Sequence, residues 1–181
     1  MKTMIMCKKD DNFIELNLHY NIVKSGVEAT FIPIDEFEGL KLYAKESCAV
    51  MARDYQLEAF GCEVGPEVLS DIVKIEFPMN YIMSTCGVHY AIKTYFKFAS
   101  YCAWGYHTQL ADTQKVERKH DNHECLMKYM DDENTMLEKC RELSYIPKDV
   151  HENNVGYIGD TLVLIDFGYA STWSRNLRKN T

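Results

Sequence analysis

The chain is poor in residues that bend or break a backbone, with four prolines and nine glycines in 181 positions. That scarcity excludes a collagen-like repeat or a Pro/Gly-rich disordered tract. Long apolar runs are missing as well. No stretch reaches the roughly twenty residues that a membrane-crossing helix needs. The apolar run in Met1-Lys-Thr-Met-Ile-Met-Cys-Lys-Lys-Asp10 is far too short for a secretion signal. Positive charge is scarce: 20 Lys and Arg stand against 27 Asp and Glu, for a net charge of -7. An acidic chain is a poor electrostatic partner for nucleic acid, and the one basic cluster, Arg175 to Lys179, reads as a solvated end. Patterned cysteines are absent too. The seven, at 7, 48, 62, 86, 102, 125 and 140, have no C-x-x-C spacing. They read as reduced thiols in a cytosol, not as a disulfide framework.

What remains is a globular composition, 46% hydrophobic and 26% charged. The length suffices for one domain or two small lobes with a real core. Residues 22 to 34 read as a strand, a turn at Ser25-Gly26 and a second strand. Residues 39 to 44 alternate as a strand does, placing Lys41 on the opposite face from Leu40 and Leu42. Taken alone, a lysine in a strand is a solvated edge residue.

A helix follows from about Glu46 to Phe60, with Cys48, Met51, Ala52, Tyr55 and Ala59 on one stripe. It stops at Gly61, and Gly65-Pro66 prevents its continuation. Ile72 to Phe77 and Tyr81 to Met83 read as two short strands around Pro78-Met-Asn80, completing a five-stranded antiparallel sheet.

From Val88 the spacing of Ala91, Ile92, Tyr95, Phe96, Ala99 and Ala103 predicts a helix. Residues 107 to 131 are polar and partly helical. His120, His123 and Cys125 cluster there, but no fourth ligand stands at workable spacing for zinc. Asp131-Asp-Glu133 places acids at the start of another helix. That helix has Met136, Leu137, Cys140 and Leu143 as its buried face and ends before Pro147.

The most informative stretch is Asp149-Val-His-Glu-Asn-Asn154. A short apolar strand after it, Leu162 to Ile165, delivers Asp166-Phe-Gly168. Phosphoryl transfer from ATP needs one Asp at the attacking hydroxyl, plus an Asn and an Asp to hold magnesium on the phosphates. In this loop and the D-F-G motif the chain resembles the protein-kinase superfamily. It is most similar to small bacteriophage kinase-like proteins, whose loop reads D-x-H-x-x-N-x-G. The resemblance covers about residues 22 to 168.

The resemblance implies an α+β, protein-kinase-like fold. Residues 1–87 form an N-lobe of antiparallel sheet with one helix. Residues 88–181 form a reduced, mainly helical C-lobe carrying the catalytic loop and D-F-G. It implies ATP and Mg2+ as cofactors, with Asp149 at the substrate hydroxyl and Asn154 and Asp166 as metal ligands. Lys41 would hold the α- and β-phosphates, and Asp54, two residues before Gln56, would pair with Lys41. Glu58, one turn on, competes for that role. His151 belongs to the loop signature and braces the loop or donates to Asp149 or a phosphate. Gly26 stands in the phosphate-covering hairpin, without the full G-x-G-x-x-G. Ser84 and Cys86 fall in the segment that binds adenine through its backbone.

No A-P-E motif follows Gly168 up to Thr181, so by this resemblance the peptide-docking platform is expected to be missing. The expected activity is transfer of the ATP γ-phosphate to a hydroxyl, on Ser or Thr of host or defence proteins in the bacterial cytosol. The alternatives are a kinase-shaped binding or inhibitory protein without phosphotransfer, and a small-molecule phosphotransferase. The expected partners are a nucleotide and a protein target, not nucleic acid or membrane. A homodimer would cover apolar surface left by the reduced lobe.

Overall fold

The computed structural model describes residues 2–9, 12–19, 24–25, 29–76, 102–143, 147 and 150–167. The chain is α+β, an antiparallel sheet with a helical part, and divides into two compact units. The first comprises residues 1–53 and 68–110, the second 54–67 and 111–181. The expected boundary between residues 87 and 88 lies outside the described residues, as do the expected strand at 81–83 and most of the expected helix from Val88.

In the first unit, seven strands form one antiparallel sheet: β1 (Lys2–Lys9), β2 (Asn12–His19), β3 (Lys24–Ser25), β4 (Ala29–Pro33), β5 (Glu38–Tyr43), β6 (Val73–Glu76) and β7 (Cys102–Gln109). Their order is β2-β1-β6-β7-β5-β4-β3. The β3–β4 hairpin and β5 lie where the sequence puts them. Thr30 and Ile32 alternate inward along β4. Between β4 and β5 the Asp35 carboxylate accepts from the N–H groups of Phe37 (2.7 Å) and Glu38 (2.9 Å), an Asx-type turn. Those two bonds also hold the carboxyl below its ordinary range.

Two expectations for this unit are corrected. Among the described residues the sheet has seven strands: four stand where expected, and Lys2–Lys9, Asn12–His19 and Cys102–Gln109 are additional. Ala103 is in a strand, not a helix: β7 pairs with β5 on one side and β6 on the other. Its alternating Trp104, Tyr106 and Thr108 are residues that suit a pleated surface. Aromatic spacing upstream imitates a helical stripe that these eight residues do not continue.

Leu40, Leu42, Ile32, Ile75 and Ala103 are fully buried, and each of the larger side chains contributes about 1.5–3 kcal/mol by leaving water. Tyr43 and Tyr106 stack, with centroids 6.4 Å apart.

The helix α1 (Glu46–Gly61) starts in the first unit, and its residues from Asp54 on belong to the second. Its buried stripe is Ala49, Ala52, Gln56 and Ala59, rotated from the expected one, with Cys48, Met51 and Tyr55 half-buried beside it. Small residues take the centre and the larger ones flank it.

The second unit also holds α2 (Thr113–Glu117), a 3-10 turn at Arg118–His120, α3 (His123–Glu142), a second 3-10 turn at Glu152–Asn154, and the hairpin β8 (Val155–Ile158) and β9 (Thr161–Leu164). The start of α3 is a correction. Asn122 caps it, its side chain accepting from the Cys125 N–H at 2.9 Å, so Asp131, Asp132 and Glu133 sit mid-helix. Tyr129, Met136 and Cys140 form its buried stripe, Leu137 is half-buried, and Leu143 is exposed. Gly159, at φ 60°, opens the two-residue β8–β9 turn, where positive φ favours glycine. Among the described residues no helix is long and apolar enough to cross a membrane.

Candidate active site

The last residues of the D-x-H-x-x-N stretch fold as a tight turn because of their own polar groups. The His151 ring Nδ1 accepts from the Asn153 N–H at 3.2 Å, and its carbonyl accepts from the Asn154 N–H at 2.8 Å. His151 therefore caps and braces the turn that ends at Asn154.

From Asn154 the chain runs into β8, turns at Gly159-Asp160 and returns along β9. Val155 pairs with Leu164, and one step beyond that pair the Asn154 carbonyl accepts from the Ile165 N–H at 2.9 Å. The hairpin thus brings Asn154 and Asp166 to the same end. Asp166 is exposed, Asn154 is half-buried, and Phe167 beside them is buried.

Phe167 is fixed by the end of α1. The helix closes in a Schellman arrangement: the Val64 N–H reaches the Ala59 carbonyl (2.9 Å) and the Glu63 N–H reaches that of Phe60 (2.9 Å). Glu63 takes the left-handed position, at φ 56°, that glycine usually holds. The helix ends at Gly61, as expected, and the left-handed cap falls two residues on, at Glu63.

Gln56, fully buried, donates from Nε2 to the Pro66 carbonyl at 3.0 Å, which ties the helix to its following turn. The Val64 carbonyl accepts from the Leu164 N–H at 2.8 Å, anchoring that turn to β9. A β-carbon on Gly65 would lie 2.7 Å from that of Ala59 and 3.2 Å from the Phe167 ring, so glycine leaves the space the aromatic ring needs. Asp54 and Glu58 both occupy exposed positions of α1.

In the first unit, Lys41 lies in the middle of β5 between Phe31 of β4 and Tyr106 of β7, its register partners. It is 8% exposed, unlike the solvated edge position that a lone strand lysine usually takes. A buried ammonium requires compensation, so its position is under strong physical constraint. Gly105 adjoins it: a β-carbon there would overlap the Lys41 carbonyl oxygen.

Asp149, Gly26, Ser84, Cys86 and Gly168 lie outside the described residues. His120 stands 3.7 Å from the Glu152 carboxylate and His123 opens α3. No three His, Cys, Asp or Glu side chains form a metal-binding group among the described residues.

Two residues of this region were not singled out from the sequence. Glu152, inside the tight turn, forms an ion pair with Lys119 at 2.6 Å, and Lys119 lies 4.4 Å above the Tyr129 ring centroid. The Lys119 ammonium holds the Glu152 carboxyl below its ordinary range. Only the acid's place within the D-x-H-x-x-N stretch signalled it, since its partner is far away in sequence.

The two units thus carry different parts of the expected set. One buries Lys41 in a sheet, and the other gathers His151, Asn154, Asp166 and Phe167 around a hairpin. Comparison with protein families, with characterised proteins and with solved structures returns no match.

Proposed function

We propose that this protein is a small, protein-kinase-like phosphotransferase that moves the ATP γ-phosphate to a hydroxyl, with Ser or Thr of a protein target as the favoured acceptor. The observation that carries the reading is the 2.9 Å bond from the Ile165 N–H to the Asn154 carbonyl. It pairs Asn154 with the residue before Asp166 at one hairpin end. Amide and carboxylate oxygens are hard donors of the kind that suits Mg2+.

The order of elements along the chain also supports the reading: a hairpin, then a strand with a buried lysine, then a helix with acids. Kinases place the phosphate-binding lysine on the third strand of that series and its acidic partner on the helix.

In this mechanism Asn154 and Asp166 would hold the magnesium, which supplies neutralisation of charge on the phosphate oxygens. Asp149 accepts a hydrogen bond from the acceptor hydroxyl and takes its proton late. Lys41 orients the phosphates, and His151 keeps the loop in shape. Most of the rate would come from positioning and charge stabilisation.

A kinase-shaped binding protein is the second reading. It is favoured by the single glycine in the hairpin sequence and by the exposure of both Asp54 and Glu58. Incubation with radiolabelled ATP and Mg2+ separates the two. Wild type is expected to label itself or an added protein acceptor, and Asp166→Ala to lose labelling at least about a hundredfold. Equal labelling of the two, or none in either, rules out the enzyme. A nucleotide-dependent rise in Tm without labelling supports the binding protein.

A further inference from the structure

The Lys119–Glu152 pair is unlike the other ion pairs of the second unit. The Lys119 side chain is only 11% exposed, against 36% for Lys139 in its pair with Glu63. The Lys119 side chain is sheltered, and its ammonium has the Glu152 carboxylate at 2.6 Å and the Tyr129 ring face at 4.4 Å. Glu152 itself is half-exposed, so the pair is one-sided: losing the carboxylate leaves the more sheltered Lys119 charge with less compensation than a fully exposed lysine would need.

The ring that supports Lys119 is itself fixed. Tyr129 is buried, its hydroxyl donates to Glu133 at 3.0 Å, and burial raises its pKa. Glu152 opens the 3-10 turn that ends at Asn154, and the Asn154 carbonyl receives the Ile165 N–H. A continuous line of contacts therefore runs from α3, through Lys119, into the turn and on to the residue before Asp166.

We propose that Lys119 and Glu152 are positioning residues: a charged strut that holds the Asn154 turn, and with it the start of the Asp166 segment, in its metal-ready arrangement. The functional half of this inference rests on the phosphotransfer reading, while the structural half does not. Neither residue needs to touch nucleotide. Their effect passes through the Glu152–Asn154 turn and the 2.9 Å bond to Ile165.

Two readouts on the full chain test it, using Lys119→Met, Lys119→Arg, Glu152→Gln and the double variant. Glu63→Gln, which neutralises the more exposed pair, serves as the comparator. The first readout is hydrogen exchange at the Asn154 and Ile165 amides. Lys119→Met and Glu152→Gln are each expected to speed exchange at both sites by about tenfold. The double variant should be no faster than the singles, as for two residues acting as one unit. Lys119→Arg, which keeps a cation for the carboxylate, should recover most of the protection, and Glu63→Gln should leave these amides unchanged. Unchanged exchange in both single variants overturns the strut. Glu152→Gln is nearly isosteric, so it keeps the test valid should Lys119→Met fold poorly.

The second readout is the Mg2+ concentration that half-saturates phosphate transfer. It is expected to rise about 10-fold in Lys119→Met and Glu152→Gln, the lower end of what loss of an outer support costs a metal site. The KM for ATP at saturating Mg2+ should stay unchanged. An active protein whose Mg2+ dependence does not move overturns the positioning role. If wild type transfers no phosphate, the phosphotransfer reading fails, and exchange alone then decides the strut.

Discussion

At the scale of single residues, two glycines four positions apart separate conformational need from convenience. A β-carbon on Gly65 would crowd the Ala59 β-carbon and the Phe167 ring, whereas one on Gly61 meets nothing within 4 Å. Ala59 has no longer side chain to swing away, so the backbone itself must move. Gly65→Ala should therefore cost about 1–3 kcal/mol, as overpacking usually does. Gly61→Ala, at the end of α1, should be neutral or stabilising by up to about 1 kcal/mol, since alanine restricts the unfolded chain and favours helix. Urea denaturation of both variants checks the pair, and equal effects would show that the Gly65 contact is not rigid. The sequence shows where this helix stops, because Gly65-Pro66 cannot continue one. It does not show that Glu63 makes the left-handed turn, because that conformation is imposed by the Val64–Ala59 and Glu63–Phe60 backbone bonds.

Elements are legible where one period dominates. The β3–β4 hairpin, β5, α1 and β6 follow their patterns to within a few residues. Strand β7 was misread because aromatic spacing upstream gave a helical count, and its strand character rests on neighbours far away in sequence. The start of α3 was misplaced because Asp131-Asp-Glu133 resembles the acidic opening of a helix. Within the helix Asp132 instead pairs with Lys128 at 2.7 Å and accepts from the Tyr157 hydroxyl at 2.7 Å.

The β1–β2 hairpin is the least expected element, and its attachment makes a pH prediction. Among the described residues its ladder to the rest of the sheet is Lys8↔Glu76 and Lys9↔Ile75. Lys9 adds a side-chain tie, its ammonium donating to Nε2 of His107 on β7 at 2.6 Å. Glu38 of β5 faces the other ring nitrogen at 3.2 Å, so the neutral imidazole carries its proton on Nδ1. Burial, then the Lys9 charge, lower the pKa of His107 below its ordinary 6.5. The unfolded chain thus binds a proton that the folded chain resists. The stabilisation is fully present above about pH 6.5 and is lost as pH falls towards the lowered value. Wild-type Tm should fall between about pH 7.5 and about pH 5.5 more steeply than that of His107→Asn. Parallel curves would remove His107 as the cause.

At the scale of the whole molecule, local pattern does not show that residues 54–67 group with 111–181, because that grouping rests on contacts far apart in sequence. Two contiguous lobes are the simplest reading of a sequence. The return of the α1 end and its turn to β9 and α3 is a tertiary fact, set by bonds such as Leu164 to Val64 and Lys139 to Glu63. The candidate site divides the same way. Asn154 and Asp166 were legible together because a single hairpin separates them, while Lys119 was not, because its use depends on where α2 and α3 lead the chain.

Net charge supplies the last prediction at this scale. With a charge of -7, the molecule repels a polyphosphate at long range, so nucleotide must be captured by short-range contacts and by a divalent cation that lowers the ligand's charge. Salt screens that repulsion. At fixed Mg2+, raising ionic strength from about 0.05 M to about 0.2 M should leave ATP affinity unchanged or slightly tighter. A basic groove would show a steep loss instead. Chelating Mg2+ with EDTA should abolish the ATP-dependent rise in Tm, which at about a hundredfold excess over Kd corresponds to about 2.7 kcal/mol of stabilisation. Titration calorimetry across the salt series, with and without EDTA, measures both effects. Affinity that falls sharply with salt and ignores EDTA would place the nucleotide on a basic surface unrelated to Asn154 and Asp166.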